Sequence, residues 1–339
     1  MKESVRETKH PWASGIALAA IAGAYFFFLG TSKFREPGAD LQYNIKQYED
    51  IDDIETRWEE VDEIALDLDT PRGMAVLGER LFVAGTNAVS ELDARHNEVV
   101  RHAFEGEPNC LAVAPDGTMF VAMPNEVQVL NADGSEGDRW TDFSERSYLT
   151  SIVATEEDVF IADAGKHVVY RYNWDGERKK EIGRRDDEKD VPGIEVPSPY
   201  LDLALNDEGH LWVVNPGKLG LERYRTNGEF VTSWYHPTLE LHGFSGCCNP
   251  TQIAFDQSGN LVTGEKGLVR LKKYEVTAGD FQELIVGHKS FPKVKSVPKE
   301  KSMRDLVVDS EDRILALDPR TDTIRIFAMK ETADGAETT

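Results

Sequence analysis

Cys247 and Cys248 stand side by side, and of all the residues in this chain their types most readily suggest chemistry. Three readings are open for them. Neighbouring residues across a trans peptide have Cα atoms about 3.8 Å apart, below the spacing of about 4.4 Å at which disulfides begin to form without strain. A bond between them would therefore be strained and a ready electron acceptor. Alternatively, two thiolates could hold a soft metal, with His242 or Cys110 nearby. The third reading is structural: two small buried residues that shape a turn ahead of Asn249-Pro250.

A second group is acidic. Glu265-Lys266-Gly267 could supply a carboxylate whose neighbouring cation tunes its proton affinity, or simply an ion pair across a tight turn. With Asp202 and Asp305, Glu265 could hold a divalent cation for a hydrolase or lyase. His236 and His242 share a connection with the cysteines but have no partner at metal-ligand spacing, where a catalytic zinc needs about three protein ligands. No metal site and no cofactor is assigned. There is no phosphate-cradling glycine loop, no CxxCH and no Gly-x-Ser-x-Gly. No complete catalytic set is legible, which favours binding over catalysis.

These residues are positioned by a repeat. Beyond residue 60 an apolar strand, a turn with Asp and Gly, a second apolar strand and a small or polar turn recur about every 40 to 50 residues. Pro108-Asn-Cys-Leu-Ala-Val leads through Pro115-Asp-Gly to Met119-Phe-Val-Ala, and Tyr200-Leu-Asp-Leu-Ala-Leu leads through Asp207-Glu-Gly to Leu211-Trp-Val-Val. Six copies are present, most with a third strand such as Val168-Val-Tyr-Arg-Tyr, and weaker fourth strands. That grammar predicts an all-β, six-bladed β-propeller of four-stranded antiparallel blades over 60–330. The last copy stops after its third strand, and Glu63-Ile-Ala-Leu-Asp-Leu is expected to supply the missing outer one and close the ring.

Aligning the six first strands puts Gly73, Cys110, Ser151, Asp202, Gln252 and Asp305 in one ring near a mouth of the central channel. The next inward set is small: Ala75, Ala112, Val153, Ala204, Ala254 and Val307. The turns between second and third strands are expected to add Asn215, Glu265 and Lys266 on the same side, along with Asp163 and Asp318. With Tyr200 and Asn249 these residues make the mouth, on the side of the fourth to sixth blades, the expected site for a small ligand or a partner protein.

The strand, Asp-Gly, strand, Ala-Asp-x-Gly pattern, clearest in Val159-Phe-Ile-Ala-Asp-Ala-Gly, resembles the NHL-repeat six-bladed propellers over residues 70–328. Pro197-Ser-Pro-Tyr-Leu-Asp-Leu-Ala, Gly246-Cys-Cys-Asn-Pro and Glu265-Lys-Gly together resemble a narrower set of membrane-anchored bacterial NHL proteins. NHL propellers include both binding modules and enzymes, so the resemblance implies the fold and no particular reaction.

Ahead of the repeat, Trp12 to Gly30 carries no charge and is just long enough, at about 1.5 Å per residue, to cross a hydrocarbon core of about 30 Å. The expectation is an uncleaved single-pass helix at 12–30 in the inner (cytoplasmic) membrane. It would follow a cytoplasmic tail at 1–11 and leave the propeller on the extracytoplasmic side. An acidic linker (31–59) and a disordered tail (331–339) flank the repeat. The 339 residues carry a formal net charge of −23, which argues against nucleic acid and against anionic lipid headgroups as partners of the outer surface.

Overall fold

Each repeat folds into one antiparallel sheet of four strands, and the six sheets follow one another in chain order. The computed structural model describes residues 54–276, 279–291 and 303–331. The apolar stretch 12–30, the tail 1–11, the linker up to residue 53 and residues 332–339 lie outside that set. Among the described residues no helix is long and apolar enough to cross a membrane.

The Asp-Gly grammar has a local cause. Asp116 accepts the Thr118 N–H at 2.8 Å, Asp256 accepts those of Ser258 and Asn260 at 2.9 and 2.7 Å, and Asp309 accepts those of Glu311 and Arg313 at 3.0 and 2.9 Å. Each aspartate thereby closes the tight turn joining the first and second strands of its blade. In the second and fifth blades a glycine completes that turn at positive φ, +95° for Gly117 and +77° for Gly259.

A four-stranded sheet with two apolar faces cannot be stable alone, because both faces need cover. The described core accordingly separates into six apolar clusters, one at each interface between neighbouring blades. The second–third interface stacks Trp140 on Tyr172 at 5.3 Å between ring centroids, with Phe120 beside Trp140. The fourth–fifth interface uses Trp212, Phe244 and Tyr274 in the same way.

The ring closes as expected, with a strand that shares Glu63 to Ala65 with the expected segment but is shifted toward the amino terminus. Strand β1 (Trp58–Ala65) is the outer strand of the sixth blade, antiparallel to the last strand, Thr323–Met329. It begins five residues ahead of the expected Glu63–Leu68, so the propeller starts at Trp58 rather than at residue 60. The reason lies in the side chains at its two ends. Trp58 is buried in the cluster between the fifth and sixth blades, and Glu60 accepts from Arg325 Nε at 2.8 Å. Leu66 and Leu68 instead leave the strand and fill the interface of the sixth and first blades. There Leu68 lies so near Gly85 that a Cβ on that glycine would sit 2.6 Å from the leucine Cγ.

Candidate functional site

The alignment of first strands survives at the level of register. Gly73, Cys110, Ser151, Gln252 and Asp305 pair with Ala84, Ala122, Ala162, Gly264 and Leu317, equivalent positions in successive second strands. Asp202 lies one residue ahead of its strand, and its carbonyl accepts the Val214 N–H at 2.9 Å.

The ring side chains act as inter-blade links. Ser151 Oγ accepts the Leu203 N–H at 3.3 Å, Asp202 accepts that of Ile253 at 2.7 Å, and Asp305 accepts that of Met74 at 2.5 Å. Gln252 Nε2 donates to the Arg304 carbonyl at 3.5 Å. At Gly73 the next blade leaves no room for any side chain, since a Cβ would lie 2.8 Å from the Asn109 carbonyl oxygen and from Cys110 Cα. From the third blade round to the first, the ring is therefore a belt of bonds to the neighbouring blade; Gly73 and Cys110 add close packing and no such bond.

Two cavities share that belt. The mouth above it encloses ≈ 380 Å³, and the channel below it, walled by the small inward residues from Ala75 to Val307, encloses ≈ 360 Å³. Asp202 and Asp305 border both. Burial pushes Asp305 up to about 8, reinforced by the negative charge of Asp202. Burial also raises Asp202, to about 6, against hydrogen bonds from Ser151 and from the Ile253 and Leu203 amides. The Cys110 thiol is pushed well above its ordinary range, first by burial and then by the two aspartates. Two interacting acids of this kind titrate as a pair, and near neutral pH they share roughly one negative charge.

The residues immediately before the ring form the wall of the mouth, and the alignment passed over them. They include Arg72, Asn109, Thr150 and Arg304. Arg72 Nη1 donates to Glu107 at 2.9 Å and to Asn109 Oδ1 at 3.2 Å, and Arg304 Nη1 donates to the Pro71 carbonyl. Asn109 Nδ2 reaches the Leu149 carbonyl at 3.1 Å and Thr150 that of Leu201 at 2.6 Å. The signal was available: reading the same six-fold alignment one residue earlier yields two arginines on neighbouring blades. Tyr148 and Tyr200 complete the rim, and Lys266 Nζ lies 4.8 Å over the Tyr200 ring while donating to Ser198 Oγ at 2.9 Å.

Other expected site residues lie elsewhere. Asn215 is fully buried; its amide donates to the Gly193 carbonyl at 3.0 Å and to Glu222 Oε1 at 2.6 Å, and its oxygen accepts the Glu195 N–H at 3.0 Å. Glu265 is buried in an ion pair with Lys272. Neither borders the mouth cavity. Asn249 is buried as well, its oxygen accepting the Lys266 N–H at 2.8 Å and its amide donating to Ser245 and Lys266 carbonyls. The corrected role of all three is to hold the loops that lead into the first strands. The carboxylates of Asp202, Asp305 and Glu265 do not converge, and among the described residues no group of three His, Cys, Asp or Glu side chains is placed to hold a metal ion.

A buried side chain with a polar group recurs at one level of every blade. Ser90, Gln128, Tyr170, Glu222, Lys272 and Arg325 occupy one register of the six third strands, and all are buried. Lys272 Nζ donates to the Leu241 carbonyl at 3.0 Å and to that of Gly243 at 2.6 Å. Glu222 accepts from Asn215, Tyr224 and Tyr235, and burial beside this carboxylate raises both tyrosine hydroxyls above their ordinary range.

The loop fixed by Lys272 and Asn249 carries the cysteine pair. Cys247 is exposed and Cys248 buried; both are free thiols, with sulfurs 3.4 Å apart and Cys248 donating to Cys247. That hydrogen bond raises the Cys247 thiol, while Lys266 works the other way.

No protein family matches the chain as a whole or in part, and no curated protein matches its sequence. Solved structures do match in shape. A streptogramin B lyase superposes with a TM-score of 0.56 at 14% identity, covering 80% of this chain and 98% of that one. Virginiamycin B lyase from Staphylococcus aureus gives 0.53 at 15% identity, over 80% and 99%. A protein of unknown function from Bacteroides thetaiotaomicron gives 0.55 at 14%, over 80% and 75%. At such identities the likeness is one of fold, and in this chain that fold is a six-bladed β-propeller of four-stranded antiparallel blades.

Proposed function

We propose that the chain is a membrane-tethered, extracytoplasmic propeller that binds a small ligand or a partner protein at its channel mouth, as a subunit of an envelope complex. The observation that carries the binding reading is the mouth cavity of ≈ 380 Å³, walled by Arg72, Arg304, Asn109 and two tyrosines above the aspartate belt. Its polar side chains hold the blades together and present charge without a nucleophile–base pair, which suits recognition better than group transfer. The tether rests on the uncharged stretch from Trp12 to Gly30. A lyase-like role, the activity named for two of the proteins similar in fold, would need acid–base groups, and this mouth offers Asp202, Asp305 and the two rim tyrosines with no histidine among its lining residues.

Pro199 lies exposed on the rim, so Pro199→Trp places an indole across the opening without touching the core. The expected outcome is that any molecule or protein retained by the full chain after mild detergent extraction falls by about tenfold or more in the variant, with an unchanged melting temperature. Native mass spectrometry of the two preparations checks it; equal retention overturns the reading.

The thiol contact favours a second reading, a redox role for Cys247 and Cys248. Cys247, as thiolate, would attack a small disulfide and expel one thiol; Cys248 would then displace the second, leaving a bond between the two cysteines. After incubation with oxidised glutathione and removal of free thiols, the peptide holding both residues is expected to weigh two hydrogens less. Recovery of two alkylatable thiols rejects the redox role.

A further inference from the structure

The mouth gathers opposite charges in one small space. Arg72 and Arg304, on the first and sixth blades, belong to its wall, and Asp202 and Asp305 to its floor. The chain as a whole is strongly anionic, with a formal charge of −23, so two arginines beside the two aspartates give this cavity a mixed charge that the surface at large lacks. Each guanidinium has five N–H donors in a planar fork suited to a carboxylate. Arg72 commits Nη1 to Glu107 and Asn109. On the floor, each Asp305 oxygen accepts one backbone N–H, that of Met74 at 2.5 Å and that of Leu306 at 2.8 Å, and a carboxylate oxygen has two acceptor sites. The floor can therefore accept further hydrogen bonds from a donor that enters the cavity.

A simple anion seated against the arginines would face the aspartates, and a simple cation over the aspartates would face the arginines. A molecule carrying both charges meets its complement at each end. The volume of ≈ 380 Å³ lies at the small end of the range of about 300–1,000 Å³ usual for ligand pockets, which suits a metabolite rather than a folded segment. Tyr148, 40% exposed, and Tyr200, steadied by Lys266, give the rim two aromatic faces for an apolar substituent.

We propose that the mouth takes a small zwitterion of the α-amino-acid or short-peptide class, its carboxylate against Arg72 and Arg304 and its ammonium over Asp202 and Asp305. This rests on the mouth-binding reading and narrows it to one ligand chemistry. Both arginines also brace the rim, so charge-neutral but size-conserving variants are the informative ones.

The experiment is isothermal titration of the full chain in detergent with the twenty free amino acids and a dipeptide set, followed by the N-acetyl and C-terminal amide forms of the tightest binder. The expected result is measurable binding of at least one member, weakened about tenfold or more by either blocking group. Arg72→Gln is expected to remove the preference for the free carboxylate, and Asp202→Asn the preference for the free ammonium. Each variant would keep the other preference, which a merely misfolded protein would not. Equal affinity for blocked and free forms overturns the proposal, as does the absence of binding across the whole set. The underlying reading is tested separately: a neutral or singly charged compound that binds the wild type and not Pro199→Trp leaves the mouth as a binding site while removing the zwitterion.

Discussion

Replacing Lys272 with methionine is expected to destabilise the propeller by about 3–5 kcal/mol, a large part of the total of about 5–15 kcal/mol that holds a domain folded. Methionine preserves most of the volume, so the loss is electrostatic. Lys272 is wholly buried, pairs with the equally buried Glu265, and satisfies the carbonyls of Leu241 and Gly243. Its removal leaves an uncompensated carboxylate and two carbonyls short of a donor, the costly way to break a buried ion pair. At about 2–4 °C per kcal/mol for a protein of this size, the melting temperature falls by about 10 °C. Differential scanning calorimetry measures that fall, and hydrogen exchange should show residues 241–250 losing protection first. Adding Glu265→Gln should restore part of the loss, because the unpaired charge then disappears; a double variant no more stable than the single one would refute the ion-pair account.

The aspartate pair sets a pH dependence of comparable size. Asp305 has an ordinary value of 3.8 and is pushed up to about 8 in the folded protein, so the folded state binds its proton more tightly than the unfolded chain does. Its contribution is complete below the unfolded value, declines as pH rises through the window from about 4 to about 8, and is gone above it. Asp202, raised to about 6, acts in the same direction over the lower half of that window. Together they amount to a loss of several kcal/mol between pH 4 and pH 9. His236, lowered by burial and by the neighbouring His242, works with the opposite sign but only below the ordinary histidine value of 6.5. The interval from 6.5 to 8.5 therefore isolates the upper titration of the aspartate pair. Urea unfolding across it is expected to give a falling stability in the wild type and a flat line in Asp305→Asn; parallel slopes would refute the assignment. Asparagine can accept only one of the two amide hydrogens that the carboxylate accepts, so the slope, and not the absolute stability, is the quantity to compare.

The sequence made the ring legible because the repeat enforces register: once six apolar cores align, Asp202, Gln252 and Asp305 must share a level. It misled wherever a residue's type suggested exposure. Asn215 and Glu265 are polar turn residues and were read as facing the mouth, yet both are buried under loops that their side chains hold in place. Glu222 and Lys272 were hidden for the same reason, since polar residues in a third strand look solvated until the loop that covers them is seen. Arg72 and Arg304 were missed by one residue of alignment. The closing strand was found but displaced, because Leu66 and Leu68 continue an apolar pattern that serves an interface and not a ladder.

The seam between first and last strands has a mechanical consequence. Whatever pulls on the polypeptide from its amino-terminal side acts on β1 at its Trp58 end, where it meets Met329. A load arriving there across the strand direction would peel the pairings apart one after another instead of shearing them all together. Three features guard that point: the buried Trp58 indole, the Lys330 N–H on the Arg57 carbonyl at 2.7 Å, and the Arg57–Glu283 ion pair at 3.0 Å to the adjoining blade. They would act as a strain relief on a cable, tying the seam to its neighbours at the end where such a load would arrive.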